Sequence, residues 1–275
     1  MKLSIIIVTW NSANTIQKCL DSLKNIKMDK EVIALDNNSS DSTFQILKKH
    51  PEVKAIVNSD NRGYGKASNQ GIKIANGEFI LLLNPDTEVK KDSVETMLGF
   101  LEGNREVFVI GPKLTDESGK VLNEATDFPN LLNQSIISLK LHRVPFFKKL
   151  VYQKFDYTKT QEANHLMGAA ILIRRETLIK LGGFDENFFL WFEDTDLLKR
   201  IKDKGYKIIY YPEAAVTHLV GQSTKQLSFW KRQTIWNKSL IYYFSKHKTW
   251  LHVLILLPFI LLSYPAAIIT KLAKH

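Results

Sequence analysis

The stretch Phe79-Ile-Leu-Leu-Leu-Asn-Pro-Asp86 decides the fold. Five apolar residues closed by a turn are the pattern of a strand buried on both faces of a parallel sheet. The Asn and Asp that follow fall at its carboxyl end, where open α/β sheets bind ligands. Asp86 suits a hard divalent cation held partly by protein oxygen and partly by substrate phosphate. Taken alone, Asn84-Pro85-Asp86 also reads as a strand-ending turn. The neighbouring segments separate the two readings.

Upstream, Leu3-Ser-Ile-Ile-Ile-Val-Thr-Trp-Asn11 is too short for a secretory leader and lacks a small-residue cleavage site, so a buried parallel strand is expected. Ile16, Cys19, Leu20 and Leu23 stand at helical spacing, and Glu31-Val-Ile-Ala-Leu-Asp36 makes a second strand ending in an acid. Turn chemistry at Asn37-Asn-Ser-Ser-Asp41 caps a further helix. Lys54-Ala-Ile-Val-Asn58 is a third strand, entering the glycine-containing loop Asn61-Arg-Gly63-Tyr-Gly65. A helix over residues 66–75 then leads back to the Asp86 strand. Thr9 and Asn11, Asp36, the Asn61 loop and Asp86 are thereby delivered to one sheet edge.

In this order the segments resemble family 2 glycosyltransferases. The nucleotide-sugar half is carried by Ile6-Ile-Val-Thr-Trp-Asn11, Asp36-Asn-Asn-Ser-Ser-Asp41, Asn61-Arg-Gly-Tyr-Gly-Lys-Ala-Ser-Asn-Gln-Gly71 and Asn84-Pro-Asp86. Met167-Gly-Ala-Ala-Ile-Leu-Ile-Arg-Arg-Glu176 and Gly182-Gly-Phe-Asp-Glu-Asn-Phe-Phe-Leu-Trp-Phe-Glu-Asp-Thr-Asp-Leu-Leu-Lys-Arg200 resemble the acceptor half, and are most similar to the rhamnosyltransferase branch. The resemblance spans about residues 3–220. It implies a GT-A (Rossmann-like) α/β fold, a mostly parallel mixed sheet flanked by helices, over residues 1–224. It also implies that Asp36 bonds a pyrimidine, with Thr9 and Asn11 beside the base. Asn61, Gly63, Lys66, Asn69 and Asn84 then line the nucleotide-sugar site. Asp86 matches the last acid of the family's Asp-x-Asp motif, which holds Mg²⁺ or Mn²⁺ against the diphosphate. Asn84 replaces the first acid, and an amide is the poorer metal ligand. His218, in Val216-Thr-His-Leu-Val-Gly-Gln-Ser223, matches a further metal ligand in some relatives; a structural histidine is the plainer reading.

Inverting sugar transfer needs a base for the acceptor hydroxyl. Glu193-Asp194-Thr-Asp196 supplies carboxylates at a helix start, where acids also serve the helix dipole. The preceding Phe188-Phe-Leu-Trp-Phe192 would desolvate a carboxylate and raise its pKa. By resemblance Asp194 is the base and Glu193 an orienting or acceptor-contacting group. Asp196 has Arg200 four residues on, the spacing of a structural ion pair.

The 275 residues, 44% hydrophobic, suffice for one full-sized catalytic domain. Cys19, the sole cysteine, excludes an internal disulfide and favours a reducing compartment. The net charge is +10, and residues 225–250 hold six Lys or Arg, no Asp or Glu, and interleaved Trp, Tyr and Phe. No nucleic-acid motif accompanies them, so nucleic acid is not an expected partner. The 19 uncharged residues Leu251–Ile269 come close to the ~20 that cross a bilayer. Residues 225–275 are therefore expected to be a basic aromatic juxtamembrane helix followed by a membrane-associated helical segment. Pro258 and Pro265, and the basic flanks including Lys271 and Lys274, leave a tilted span and an interfacial arrangement both open. A second basic stretch lies between Lys140 and Lys159, in a position similar to the relatives' variable acceptor insert.

The expectation is an inverting glycosyltransferase on the cytoplasmic face of an anionic cell membrane, extending a lipid-linked glycan for a bacterial surface polysaccharide. The donor implied is dTDP-L-rhamnose or, alternatively, a UDP-hexose. A non-catalytic nucleotide-sugar-binding subunit is the reading from another class; Asp36, Asp86 and Asp194 oppose it and Asn84 favours it. A homo-oligomer stays open.

Overall fold

The computed structural model describes residues 1–122, 125–152 and 155–272; Lys274 lies outside them. In chain order the strands are β1 (Leu3–Thr9), β2 (Lys30–Asp36), β3 (Val53–Val57), β4 (Phe79–Leu83), β5 (Thr87–Val89), β6 (Val107–Thr115), β7 (Ala125–Thr126), β8 (Gln161–Glu162), β9 (His165–Leu166), β10 (Ala170–Arg174) and β11 (Lys207–His218). The helices are α1 (Ile16–Leu23), α2 (Thr43–Lys48), α3 (Tyr64–Ile74), α4 (Ser93–Gly103), α5 (Leu131–Ser138), α6 (Pro145–Val151), α7 (Arg175–Lys180), α8 (Glu193–Asp203), α9 (Gln222–Lys225), α10 (Phe229–His247) and α11 (Trp250–Leu272).

The main sheet runs β3-β2-β1-β4-β10-β6-β11-β5, with β8 paired to β11. Strand β1 is parallel to both β2 and β4, so the chain crosses over in opposite directions on its two sides, and the switch point falls at their carboxyl ends. Strand β10 enters antiparallel between β4 and β6, which makes the sheet mixed. Alternation along β1 separates two cores. Leu3, Ile5 and Ile7 pack with Ile16, Cys19, Leu20 and Leu23 of α1 and with Met97 and Leu101 of α4. Ile6 and Val8 face the other way, toward Ala67 and Ile72 of α3 and Leu197, Leu198 and Ile201 of α8. This is the period of two expected of strands covered on both faces.

A third core joins the carboxyl-terminal helices to the sheet domain. Phe188 and Phe192 pack with Leu240, Tyr243 and Phe244 of α10 and Val253, Leu256 and Ile260 of α11. Below it lies a charge cluster. Asp196 is fully buried; its Oδ2 accepts from Arg200 Nε at 2.8 Å, and its Oδ1 lies 2.7 Å from both Lys246 Nζ and His247 Nε2. Lys246 also reaches Asp185 Oδ2 at 2.6 Å. Arg200 donates onward to the Leu181 and Gly183 carbonyls. The expected Asp196–Arg200 pair is therefore present and carries α10 with it. Helix α11 is the one described helix long and apolar enough to cross a membrane, with mean hydropathy 2.3 over Trp250–Thr270. It runs through Pro258 and Pro265 without a break.

Removing one partner of a buried ion pair leaves the others uncompensated, so Asp196→Ala should cost ~3 kcal/mol or more. Urea denaturation reads this directly; an unchanged midpoint would mean the cluster adds nothing.

Candidate active site

The carboxyl ends of β1 and β4, the start of β10 and the start of α8 surround a cavity of about 500 Å³, within the range of ligand-binding clefts. Sheet register brings the polar groups to it. Asn84 N–H donates to the Ala169 carbonyl at 2.9 Å, fixing the Asn84-Pro85-Asp86 turn beside Met167-Gly168. His218 pairs across the sheet with Thr87, so its side chain meets Asp86: Nε2 lies 3.3 Å from Asp86 Oδ1. Both side chains are buried, and His218 Nδ1 has no hydrogen-bond partner among the described residues. No three His, Cys, Asp or Glu side chains among the described residues converge as a metal cage. A carboxylate and an imidazole at one point on the cavity wall nonetheless fit a Mg²⁺- or Mn²⁺-type ion that takes its other ligands from phosphate and water.

The acids of α8 are presented by an unusual turn. Trp191 and Phe192 have φ of 63° and 68°, a left-handed conformation that bulky residues seldom adopt. Aromatic packing holds them there: Trp236 lies 5.7 Å from Trp191 and 4.9 Å from Phe192 between ring centroids, and Ser239 Oγ donates to the Leu190 carbonyl. Asp194 then enters the cavity with its side chain 23% exposed. Its Oδ2 accepts from Gly168 N–H at 3.1 Å and its Oδ1 from Thr195 N–H at 2.7 Å. Gly168 leaves room for this approach: a Cβ there would stand 3.0 Å from Asp194 Oδ2, close enough to press on the carboxylate. Burial acts to raise the Asp194 carboxyl, but the nearby His165 imidazole and the two amide N–H groups outweigh it and hold it below its ordinary value. Glu193 behaves oppositely. Burial, and then the charge of Asp194, push it up to about 8, and its Oε2 has no partner among the described residues. The upward shift expected from the aromatic run thus falls on Glu193 and not on Asp194, because the amide donors converge on Asp194.

Of the residues expected to line the nucleotide-sugar site, Asn61, Gly63 and Asn84 do line the cavity. Gly63, at φ 82°, packs against the Phe189 carbonyl, to which Tyr64 N–H donates at 3.1 Å. Thr9, Asn11, Asp36, Lys66 and Asn69 are not on the cavity wall. Asp36 is buried, its oxygens taken by Thr9 Oγ1, Ser39 Oγ and Ser39 N–H. Asn11 Oδ1 accepts from Ser40 N–H. Asn69 exchanges hydrogen bonds with the Phe184 backbone, and Lys66 faces Glu186 at 3.9 Å. All five make their contacts outside that lining.

The sequence reading missed His165 and Trp236. His165 Nδ1 lies 3.0 Å from Thr126 Oγ1, and its Nε2 lies 3.2 Å from Thr195 Oγ1 and 3.8 Å from Asp194 Oδ2. Its position two residues before Met167-Gly168 was the available signal. Trp236 lines the cavity from α10, a segment whose composition pointed elsewhere.

A mixed α/β sheet that switches direction at β1 thus carries a carboxylate–imidazole pair and two adjacent carboxyls at its ligand-binding edge. The glycosyl transferase family 2 model matches residues 4–182, and the chain belongs to that family. A second model, described as the N-terminal domain of galactosyltransferase, matches residues 149–221. The chain is 26% identical over 238 residues to the N-acetylglucosaminyl-diphospho-decaprenol L-rhamnosyltransferase of Mycobacterium tuberculosis, covering 81% of this chain and 77% of that protein. It is 27% identical over 238 residues to a poly-beta-1,6-N-acetyl-D-glucosamine synthase of Staphylococcus aureus, with 85% of this chain covered but only 53% of the synthase. Among solved structures, the Pyrobaculum calidifontis mannosyltransferase in complex with GDP-Man and Mn²⁺ superposes with a TM-score of 0.62 at 19% identity, over 100% of this chain and 76% of that one. S. aureus TarS 1–349 with UDP-GlcNAc gives 0.57 at 21%, over 94% and 71%. The fold is that of GT-A transferases, and the activity is that of a glycosyltransferase.

Glu193 supplies a stability test. Its folded pKa lies above its unfolded one, so its contribution is complete below about pH 4.5 and is lost as pH rises through about 8. Native protein should lose stability relative to Glu193→Gln across that window, by at most about 1.4 kcal/mol per pH unit. Parallel melting-temperature profiles would place the proton elsewhere.

Proposed function

We propose that this glycosyltransferase moves a sugar, with inversion at the anomeric carbon, from a nucleoside diphosphate donor to a lipid-linked glycan on the cytoplasmic face of a bacterial cell membrane. The observation that carries this reading is the cavity itself, which has the ionised, partly open Asp194 and the Asp86–His218 pair on one wall system. Asp194 takes the proton of the acceptor hydroxyl while the hydroxyl oxygen bonds to the anomeric carbon and the bond to the diphosphate breaks. Gly168 and Thr195 N–H groups keep the carboxylate aimed during this step. Asp86 and His218 are the residues that would hold a Mg²⁺ or Mn²⁺ ion, whose charge would stabilise the departing diphosphate. Glu193, carrying its proton, is a donor for a sugar or acceptor oxygen.

L-Rhamnose from a dTDP donor is the first donor reading, its sugar supported by the M. tuberculosis L-rhamnosyltransferase; a UDP-hexose is the second, supported by the UDP-GlcNAc complex of S. aureus TarS. A panel of nucleotide sugars, scored for turnover with a polyprenyl-diphosphate-linked acceptor, separates them. Hydrolysis or transfer of none would remove the transferase reading of this cavity.

Asp194→Asn keeps the shape and removes the proton acceptor. It should abolish transfer and leave donor affinity within about three-fold, as for an interaction made in the transition state. Near-native turnover, with Glu193→Gln inactive instead, would move the base one residue back. Asp86→Ala should lower turnover by ~10²-fold or more, and EDTA should act likewise on the native enzyme. Full activity under either treatment would take the cation out of the mechanism.

A further inference from the structure

Helix α11 buries a narrow seam that includes its one serine and leaves most of its leucines and isoleucines outside. Buried residues recur at alternating steps of three and four, Val253, Leu256, Ile260, Ser263 and Ala267, the seam of two packed helices. Within it, Ser263 Oγ accepts from Gln233 Nε2 at 3.2 Å and from Asn237 Nδ2 at 3.1 Å. The outward side carries Leu251, Leu254, Ile255, Leu261, Leu262 and Ile269, which are 64%, 60%, 44%, 69%, 53% and 65% exposed. At 3.6 residues per turn these six fall within an arc of about 120°. An unbroken apolar face of this length is not left to water on a soluble monomer.

The packing also fixes how the helix lies. Contacts with α10 run along its length, from Val253 and Leu256 beside Phe244 at one end to Tyr264 stacked on Trp230 and 3.3 Å from Thr234 Oγ1 toward the other. Helix α10 is in turn fastened to the catalytic body through Ser239, Trp236 and Lys246. A helix held lengthwise against the body on one side presents only its other side to lipid. It therefore lies along a surface and does not thread a hydrocarbon core about 30 Å thick.

Exposed apolar side chains also occur on the helices packed next to α11. Helix α5 packs against α11, and α6 packs against α5. Leu132 on α5 and Phe146 and Leu150 on α6 are 61%, 68% and 48% exposed. The charge follows the same stretches of sequence. Residues 128–155 and 214–275 together contain thirteen of the chain's 38 Lys and Arg and none of its 28 Asp and Glu, so the rest of the chain is net negative by three. All of the net positive charge is thus carried by these two stretches of sequence, in which Lys246 is already paired with Asp185 and Asp196.

We propose that α11, α5 and α6 form one continuous docking face for an anionic bilayer, with α11 lying in the membrane plane and Phe146 and Leu150 inserted beside it. Basic side chains around an apolar patch are the complement of anionic headgroups over acyl chains. This inference concerns lipid binding alone. It is read without donor, acceptor or turnover, so its failure is distinct from failure of the transferase reading.

Full-length protein is floated with vesicles of phosphatidylcholine alone and of phosphatidylcholine with phosphatidylglycerol. Binding to the second should be the stronger, by several-fold for each basic residue engaged, and should weaken in high salt. Phe146→Glu with Leu150→Glu should lower partitioning by ~10-fold or more, with an unchanged melting temperature because both sites are exposed. Leu254→Glu with Leu261→Glu should do the same. Full binding by the α6 variant would overturn the shared face. The orientation is read by one added cysteine at a time, Thr249→Cys or Thr270→Cys, in sealed inside-out vesicles from expressing cells, with the native protein, whose one thiol Cys19 is buried, as the unlabelled control. Both should react with a membrane-impermeant maleimide added outside; protection of one until detergent is added would mean a span. A monodisperse dimer that binds neither vesicle would assign the face to a second copy of the chain.

Discussion

The buried carboxylate of Asp196 is the tie on which the site depends. It sits on α8 two residues after Asp194, is gripped by Arg200 from its own helix, and reaches Lys246 and His247 on α10. An acid without solvent exposure is tolerable only when charge partners and hydrogen bonds surround it. Here those partners come from the far end of the chain, so folding α8 correctly and docking α10 are one event. The strained turn before α8 follows from the same docking. Trp191 and Phe192 in the left-handed region each cost of order 1–2 kcal/mol, and the Trp236 and Tyr243 rings against them supply the packing that offsets it.

What that strain achieves is a split between two adjacent acids. A helix start offers free N–H groups and a positive dipole end, and the turn aims Asp194 at them and at Gly168 while Glu193 turns into an apolar wall. One carboxyl is ionised and part-open to the cavity; its neighbour holds a proton near neutral pH. Two carboxyls that titrate apart in one cavity can accept a proton and donate a hydrogen bond in the same step.

The sheet half of the molecule was legible in the sequence because its signals are local. Runs such as Phe79–Leu83 and Leu3–Thr9, with turn residues after them, locate strands and their ligand-facing ends, and the spacing of Ile16, Cys19, Leu20 and Leu23 reproduces the buried face of α1. Asp86 closes one of these runs, whereas Glu193, Asp194 and His218 were singled out through the family resemblance; all four lie together on the cavity wall. The residues that stand outside its lining were not separable from these. Asp36 gives its oxygens to Thr9, 27 residues before it, and to Ser39, three after it, a matter of side-chain rotamers that no periodicity displays. His165 escaped notice because β9 is a two-residue strand with no periodicity to display. Trp236 escaped because composition records that a helix is basic and aromatic, not which of its faces meets the protein.

That last distinction governs the carboxyl terminus. A hydropathy sum over residues 251–269 is blind to direction, and it registers the same total whether the apolar residues ring the helix or share it with a seam. The seam is visible only once Gln233, Asn237 and Ser263 are seen satisfying one another between two helices. Because Val253, Leu256 and Ile260 lie in the same core as Phe188 and Phe192, the inner side of α11 is also the outer support of the turn that presents Glu193 and Asp194. Loosening α11 would take packing away from residues in the left-handed region, where little but packing holds them. The helix that hydropathy marks as an appendage is thus part of the wall behind Glu193 and Asp194.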